Sequence, residues 1–230
     1  MSASTRRADG DGVDLYWLPL GAGGHVVRWN GRLYEALVAR RDRRARRDLY
    51  HSALEVHLDG HRYVIESAPA LHRTALDRGV VSEGAVGMPS LGRMRSFRYE
   101  VRRWREGVIP DASEAVDSPR RLSSGPSRAR QVLDLVPAFP TRTWGRDELR
   151  TGDMWNSNSL TAWLLARSGH DTDAVHLPQH GRAPGWSAGL VLAERDAAAA
   201  TVLPAVAPAA HEDLPDPHEE CADTRWEKTS

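Results

Sequence analysis

Apolar and polar residues alternate along two neighbouring runs, Ser52–Leu58 and His61–Ser67, with Asp59-Gly60 between them. A two-residue loop at Asp59-Gly60 makes this a β-hairpin. It sets Leu54 opposite Ile65 and Val56 opposite Tyr63 on an apolar face. His51, Ala53, Glu55 and His57 then fall on the other face, opposed by Ala68, Glu66, Val64 and Arg62. A second hairpin is predicted at His25–Trp29 and Arg32–Leu37, because Asn30-Gly31 accepts the positive φ angles of a type I′ turn. Asp14–Leu20 reads as a short strand followed by a flexible Gly21–Gly24, and Leu91–Arg105 as a long strand with arginines on one face. Beyond these the period changes. Pro126–Val136 has proline in its first turn and Val132, Leu133 and Val136 at helical spacing. Ser157–Ser168 sets Leu160, Trp163 and Leu164 on one helical face and stops at Gly169. Gly185–Ala193 reads as a closing strand. The expectation is an α+β domain, a twisted antiparallel sheet packed against a few helices.

Composition then sets the limits of that domain. A chain of 230 residues suits one domain with flanks. The zero net charge conceals a split, since residues 194–230 hold nine acidic and three basic side chains. That acidic, Ala/Pro-rich stretch shows no sustained period and has too little apolar surface to offset its ordering entropy. Residues 1–12 and 196–230 are therefore expected to be disordered, around a single domain at 13–195. The N-terminal MSASTRRADGDG has no apolar core, and no run of 18 apolar residues occurs, so neither a signal peptide nor a membrane span is expected. A soluble, cytoplasmic protein is the expectation.

Several chemistries drop out. Lys228 is the only lysine, which removes phosphate-loop and Schiff-base lysine chemistry from the body of the chain. Cys221 is the only cysteine, which removes intrachain disulfides, cysteine zinc fingers and iron–sulfur clusters. Two features remain as candidate chemistry. On the hairpin, Glu66 lies diagonally from His51, where a carboxylate would orient an imidazole and stabilise its cation, as a general base requires. The plainer alternative is that His51 starts a strand and Glu66 is solvated. At Asn156-Ser157-Asn158-Ser159, four residues able to cap a helix precede an apolar helical run. One is an N-cap in the plain reading. In the sharper one, a nucleophile at a helix N-terminus gains from the dipole and from free backbone donors that hold an oxyanion.

Together the segments Tyr50–Val56, Tyr63–Glu66 and Asn156–Leu160 resemble the circularly permuted papain-like superfamily. That group includes relatives of the NlpC-type cell-wall peptidases and of lecithin–retinol acyltransferase. Its pattern is a histidine at the start of a strand, an acidic or polar residue on the next strand, and Asn-Cys opening a later helix. The resemblance spans residues 14–192 and implies a permuted papain-like fold, with hydrolysis or acyl transfer on an amide or ester. It makes His51 the base, Glu66 its orienting group and Ser157 the nucleophile. Asn156, Asn158 and Trp155 would contact a small-molecule or peptide substrate, and no cofactor or metal is implied. The departure is serine where the family has cysteine. Serine cannot be held as an anion by an imidazolium, but it can lose its proton during attack in a Ser-His-acid arrangement. A scaffold kept only for binding, without catalysis, is the alternative.

Three further features complete the reading. Arg40–Arg47 holds six arginines in eight residues, and would contact phosphates if it bound nucleic acid. It stands between two predicted strands without interleaved aromatics, so a solvated loop is preferred and no nucleic-acid partner is expected. His170, His176 and His180, with Asp171 and Asp173, lie on a Gly/Pro-rich loop without metal-ligand spacing and are read as incidental. Trp163 and Trp186 are read, like Trp155, as core or cleft wall. Nothing in the sequence sets the oligomeric state.

Overall fold

The computed structural model describes residues 10–20, 40, 43, 47–70 and 78–202. Six strands form an antiparallel sheet: β1 (Gly12–Pro19), β2 (Asp48–Leu58), β3 (His61–Pro69), β4 (Val80–Ala85), β5 (Arg98–Arg105) and β6 (Val116–Ser124), in the order β4-β5-β3-β2-β1-β6. A two-residue β7 (Gly181–Arg182) adds in parallel to the start of β2, pairing with Asp48 and Leu49. Among the described residues, three α-helices lie beyond β6 in the chain: α1 (Pro126–Leu135), α2 (Ser157–Arg167) and α3 (Trp186–Val202). The fold class is mixed α+β, as expected.

The hairpin forms in the predicted register, with Leu54 opposite Ile65 and Val56 opposite Tyr63. Asp59 and Gly60 both take positive φ, 52° and 75°, as the two-residue loop demands. Because side chains alternate across a strand, the sheet has two distinct faces. Val13, Leu15, Trp17, Leu54, Val56, Ile65, Tyr99 and Val101 point to one face and join residues of all three helices in the main core. We call this the helix face. The other face carries the smaller cluster of Tyr16, Leu18, Ala53 and Val64 with Ile109, and between these stand Asp14, Glu55, His57, Glu66, Glu100 and Arg102. We call it the charged face.

Four sequence expectations require correction. Gly185–Ala193 is not a strand: after a turn at Gly185 it opens α3, which runs from Trp186 to Val202. A short apolar run does not distinguish strand from buried helix, and the following Ala197–Ala200 supplies the helix propensity that decides. The domain accordingly extends past residue 195: Asp196 accepts a 2.8 Å hydrogen bond from the Trp163 indole, which ties α3 to α2. Gly12, expected in a disordered flank, begins β1. Finally, Leu91–Arg105 is a strand only from Arg98, its first part forming 3-10 turns at Pro89–Arg93 and Arg95–Phe97.

Strands β4 and β6 were not apparent from the sequence. Both are edge strands, each with one partner, and β6 carries Pro119 and six polar residues among nine. An edge strand tolerates proline and polar side chains because half of its backbone needs no ladder partner. The His25–Leu37 hairpin, the Gly21–Gly24 segment, most of Arg40–Arg47 and residues 1–9 and 203–230 lie outside the described residues.

Candidate functional site

The N-terminus of α2 is built as the sequence suggests, but its polar groups are committed to the fold. Asn156 is the N-cap, and its side chain accepts from the Asn158 backbone N–H at 2.9 Å. Ser159 completes a capping box by accepting from the Asn156 N–H at 3.1 Å, while its own hydroxyl donates to the Gly185 carbonyl at 2.8 Å. Asn158 is 1% exposed. Its amide donates to the carbonyls of Tyr50 at 2.9 Å and Pro184 at 2.8 Å, and its oxygen accepts from the Ser52 hydroxyl at 2.8 Å. Trp155, also buried, stacks on Phe139 at 5.0 Å between ring centroids and donates to the Tyr99 hydroxyl at 3.3 Å. These are bonds that anchor a helix rather than groups held open for a substrate.

Glycine makes this anchorage possible. A Cβ on Gly185 would lie 2.2 Å from Oδ1 of Asn156, and one on Gly189 would lie 2.3 Å from the Ser159 carbonyl oxygen. Only a residue without a side chain lets α3 pass so near the opening of α2.

The proposed base and nucleophile stand apart. Ser52 bonds Asn158, so α2 packs on the helix face. His51, one residue earlier, points to the charged face and pairs in register with Leu18 of β1. Ser157 is buried on the α2 side, and the sheet stands between the two side chains. Glu66 does share the charged face with His51, as the hairpin predicts, but its carboxylate is taken by Arg102 at 2.6 Å. Burial alone pushes the His51 imidazole down to about 4, with no carboxylate acting to hold its proton. The structure therefore does not assemble His51, Glu66 and Ser157 into one site, and Asn156, Asn158 and Trp155 are structural in their contacts.

The charged face is where ionisable groups gather. Arg102 bridges Glu66 and Glu100, the latter at 2.8 Å, and Arg78 joins Glu100 at 3.1 Å. All but Arg78 are buried. Burial pushes the Glu66 carboxyl above its usual range against the opposing pull of Arg102, whose guanidinium it shares with Glu100. A second group lies across β1, β2 and β3. His57 Nε2 is 3.1 Å from Glu55 Oε1 and 3.8 Å from Asp14 Oδ2. Arg62 holds the other Glu55 oxygen at 3.1 Å, and Arg121 Nε lies 3.1 Å from the other Asp14 oxygen. Sequence reasoning set Glu55, His57 and Arg62 on one face but could not add Asp14, which arrives through the β1–β2 register.

Of the loop histidines, His170 is not incidental. His170 is buried and hydrogen-bonded at 2.8 Å to both Ser123 and Ser168, so it is a structural residue of the helix side. Burial, helped by Arg128, pushes its imidazole down to about 4. It also borders a hollow of about 130 Å³ whose rim includes Arg120, Arg121 and Arg128. Among the described residues, no helix is long and apolar enough to cross a membrane.

Comparison of the chain with family models, with curated proteins and with solved structures found no match in any of the three. The chemistry of its sites is thus read from its own residues.

Proposed function

We propose that this protein is a binding domain that performs no acyl transfer at Ser157. The observation that supports this reading is the placement of Ser157 and His51 against opposite faces of one sheet. A serine nucleophile needs its base within about 3.2 Å of the hydroxyl, directly or through one water. Strand alternation fixes which face each β2 side chain takes, and no rotamer change carries an imidazole through a hydrogen-bonded sheet. The commitment of Glu66 to Arg102 removes the third member as well. A small ligand with an anionic group fits the hollow beside His170, where Arg120 and Arg128 supply positive charge at the rim.

A serine-directed fluorophosphonate, together with turnover of p-nitrophenyl esters, tests the reading on the full chain. We expect no labelling of Ser157 and no ester hydrolysis, with Ser157→Ala and Ser157→Cys behaving as the parent does. Labelling that disappears in both Ser157→Ala and His51→Ala, while each variant melts cooperatively, would overturn it and restore the hydrolase.

A further inference from the structure

The charged face holds a group that the binding reading does not use. In the β1–β2 pairing Asp14 stands opposite Glu55, and Gly12 opposite His57. Asp14 and Glu55 are thus cross-strand neighbours, with His57 two residues further along the same face. Each contributes one atom, and the three atoms lie within 4.8 Å of one another. The separations of 3.1 Å and 3.8 Å from Nε2 to the two oxygens bracket what a metal requires. A divalent transition cation about 2.0–2.2 Å from its nitrogen and oxygen ligands sets those atoms about 2.9–3.5 Å apart.

Asp14 provides the second observation. Its side chain is 0% exposed, and neither carboxylate oxygen accepts a hydrogen bond. Arg121 Nε approaches Oδ1 at 3.1 Å without the alignment of a hydrogen bond, and His57 Nε2 lies 3.8 Å from Oδ2. Burying a carboxylate in this condition is costly, and a cation facing Oδ2 removes the cost. The outer oxygens are already occupied. Arg62 holds Glu55 Oε2 and Arg121 faces Asp14 Oδ1, which leaves Oε1 and Oδ2 turned toward His57. Outer partners of this kind orient the ligands of protein metal sites.

We infer that Asp14, Glu55 and His57 bind a divalent transition cation of the Zn²⁺ type. The imidazole ligand favours such an ion over Ca²⁺ or Mg²⁺, which prefer all-oxygen sites. The His57 side chain is 29% exposed, so water completes the coordination from that side. This site goes beyond the binding-domain reading and fails separately from it, since Ser157 lies on the other face of the sheet.

Calorimetric titration of the full, chelator-treated chain with Zn²⁺, and the visible spectrum of its Co²⁺ form, test the inference. One ion per chain is expected, raising Tm, with binding weakened about 10–100-fold in both Glu55→Gln and His57→Gln. Melting of the metal-free variants checks that they fold. In the unaltered chain, Zn²⁺ should also shift the His57 ring resonances, a readout that needs no variant to be stable. Absence of binding overturns the site. So does binding that is indifferent to Glu55 and His57, which would assign the ion to other groups such as Cys221 or His211.

Discussion

The two faces of the sheet are made from the same strands yet solve burial in different ways. Toward the helices, Leu15, Leu54, Val56, Ile65 and Val101 are all 0–1% exposed and meet apolar partners. Such burial stabilises by roughly 1.5–3 kcal/mol per large side chain. On the reverse face, Asp14, Glu66, Glu100 and Arg102 are nearly as inaccessible, at 0–8%, and each is a charge taken out of water. A buried ion network contributes little beyond what an apolar core would, but losing one member leaves its partners uncompensated. One face is therefore tolerant of small losses and the other is not. The charged side is also where a ligand can supply what the protein lacks.

Substitutions sharpen that contrast. The largest effect is expected from Arg102→Ala, which strands Glu66 and Glu100; urea unfolding should show a loss of about 3–5 kcal/mol, while Arg102→Met with Glu66→Gln and Glu100→Gln should recover most of it. Recovery by the triple variant would show that uncompensated charge, rather than lost packing, is the cause.

Next comes acid. Each face hides one imidazole, His51 on the charged side and His170 on the helix side, and burial pushes both down to about 4. In the unfolded chain they titrate near 6.5, so the unfolded state takes up protons first as pH falls. Their contribution to stability is complete above about pH 6.5 and is lost progressively toward pH 4. Melting curves across that interval should show Tm falling, and His170→Gln should flatten the slope, because its uncharged side chain has no proton to gain. An unchanged slope would mean that His170 takes up its proton equally in the folded and unfolded states.

The smallest effect belongs to the anchor between sheet and helix. Asn158→Ala leaves the Tyr50 and Pro184 carbonyls without their donor and should cost about 1–3 kcal/mol by chemical denaturation. A larger loss would indicate that α2 detaches as a unit.

How much of this was legible beforehand depended on the range of each interaction. The 52–67 hairpin was readable to the residue, since its turn and its alternation are encoded within a few positions. The Asn156 cap of α2 was readable for the same reason. Helix α3 was not, because its first eight residues carry a largely apolar run that suits either structure, and the packing of Gly189 on Ser159 joins the Ala197–Ala200 propensity in choosing the helix. That His51 and Glu66 would share a face was foreseen, but not that Glu66 would pair with Arg102. What escaped was the side of the sheet on which α2 would pack, and that is decided by Ser52 meeting Asn158 across 106 residues of chain.

By itself, then, the sequence determined the α+β class, the hairpin with its two faces, the start of α2 and that a single cysteine forms no intrachain disulfide. These follow from local periodicity, turn geometry and residue identity. Only the tertiary structure decided that Ser157 and His51 are separated, that Glu66 belongs to Arg102, and that Asp14 joins Glu55 and His57. Each of those outcomes depends on which strands become neighbours and which face a helix covers. A residue's neighbours along the chain do not contain that information, because it resides in contacts between segments that are far apart in sequence.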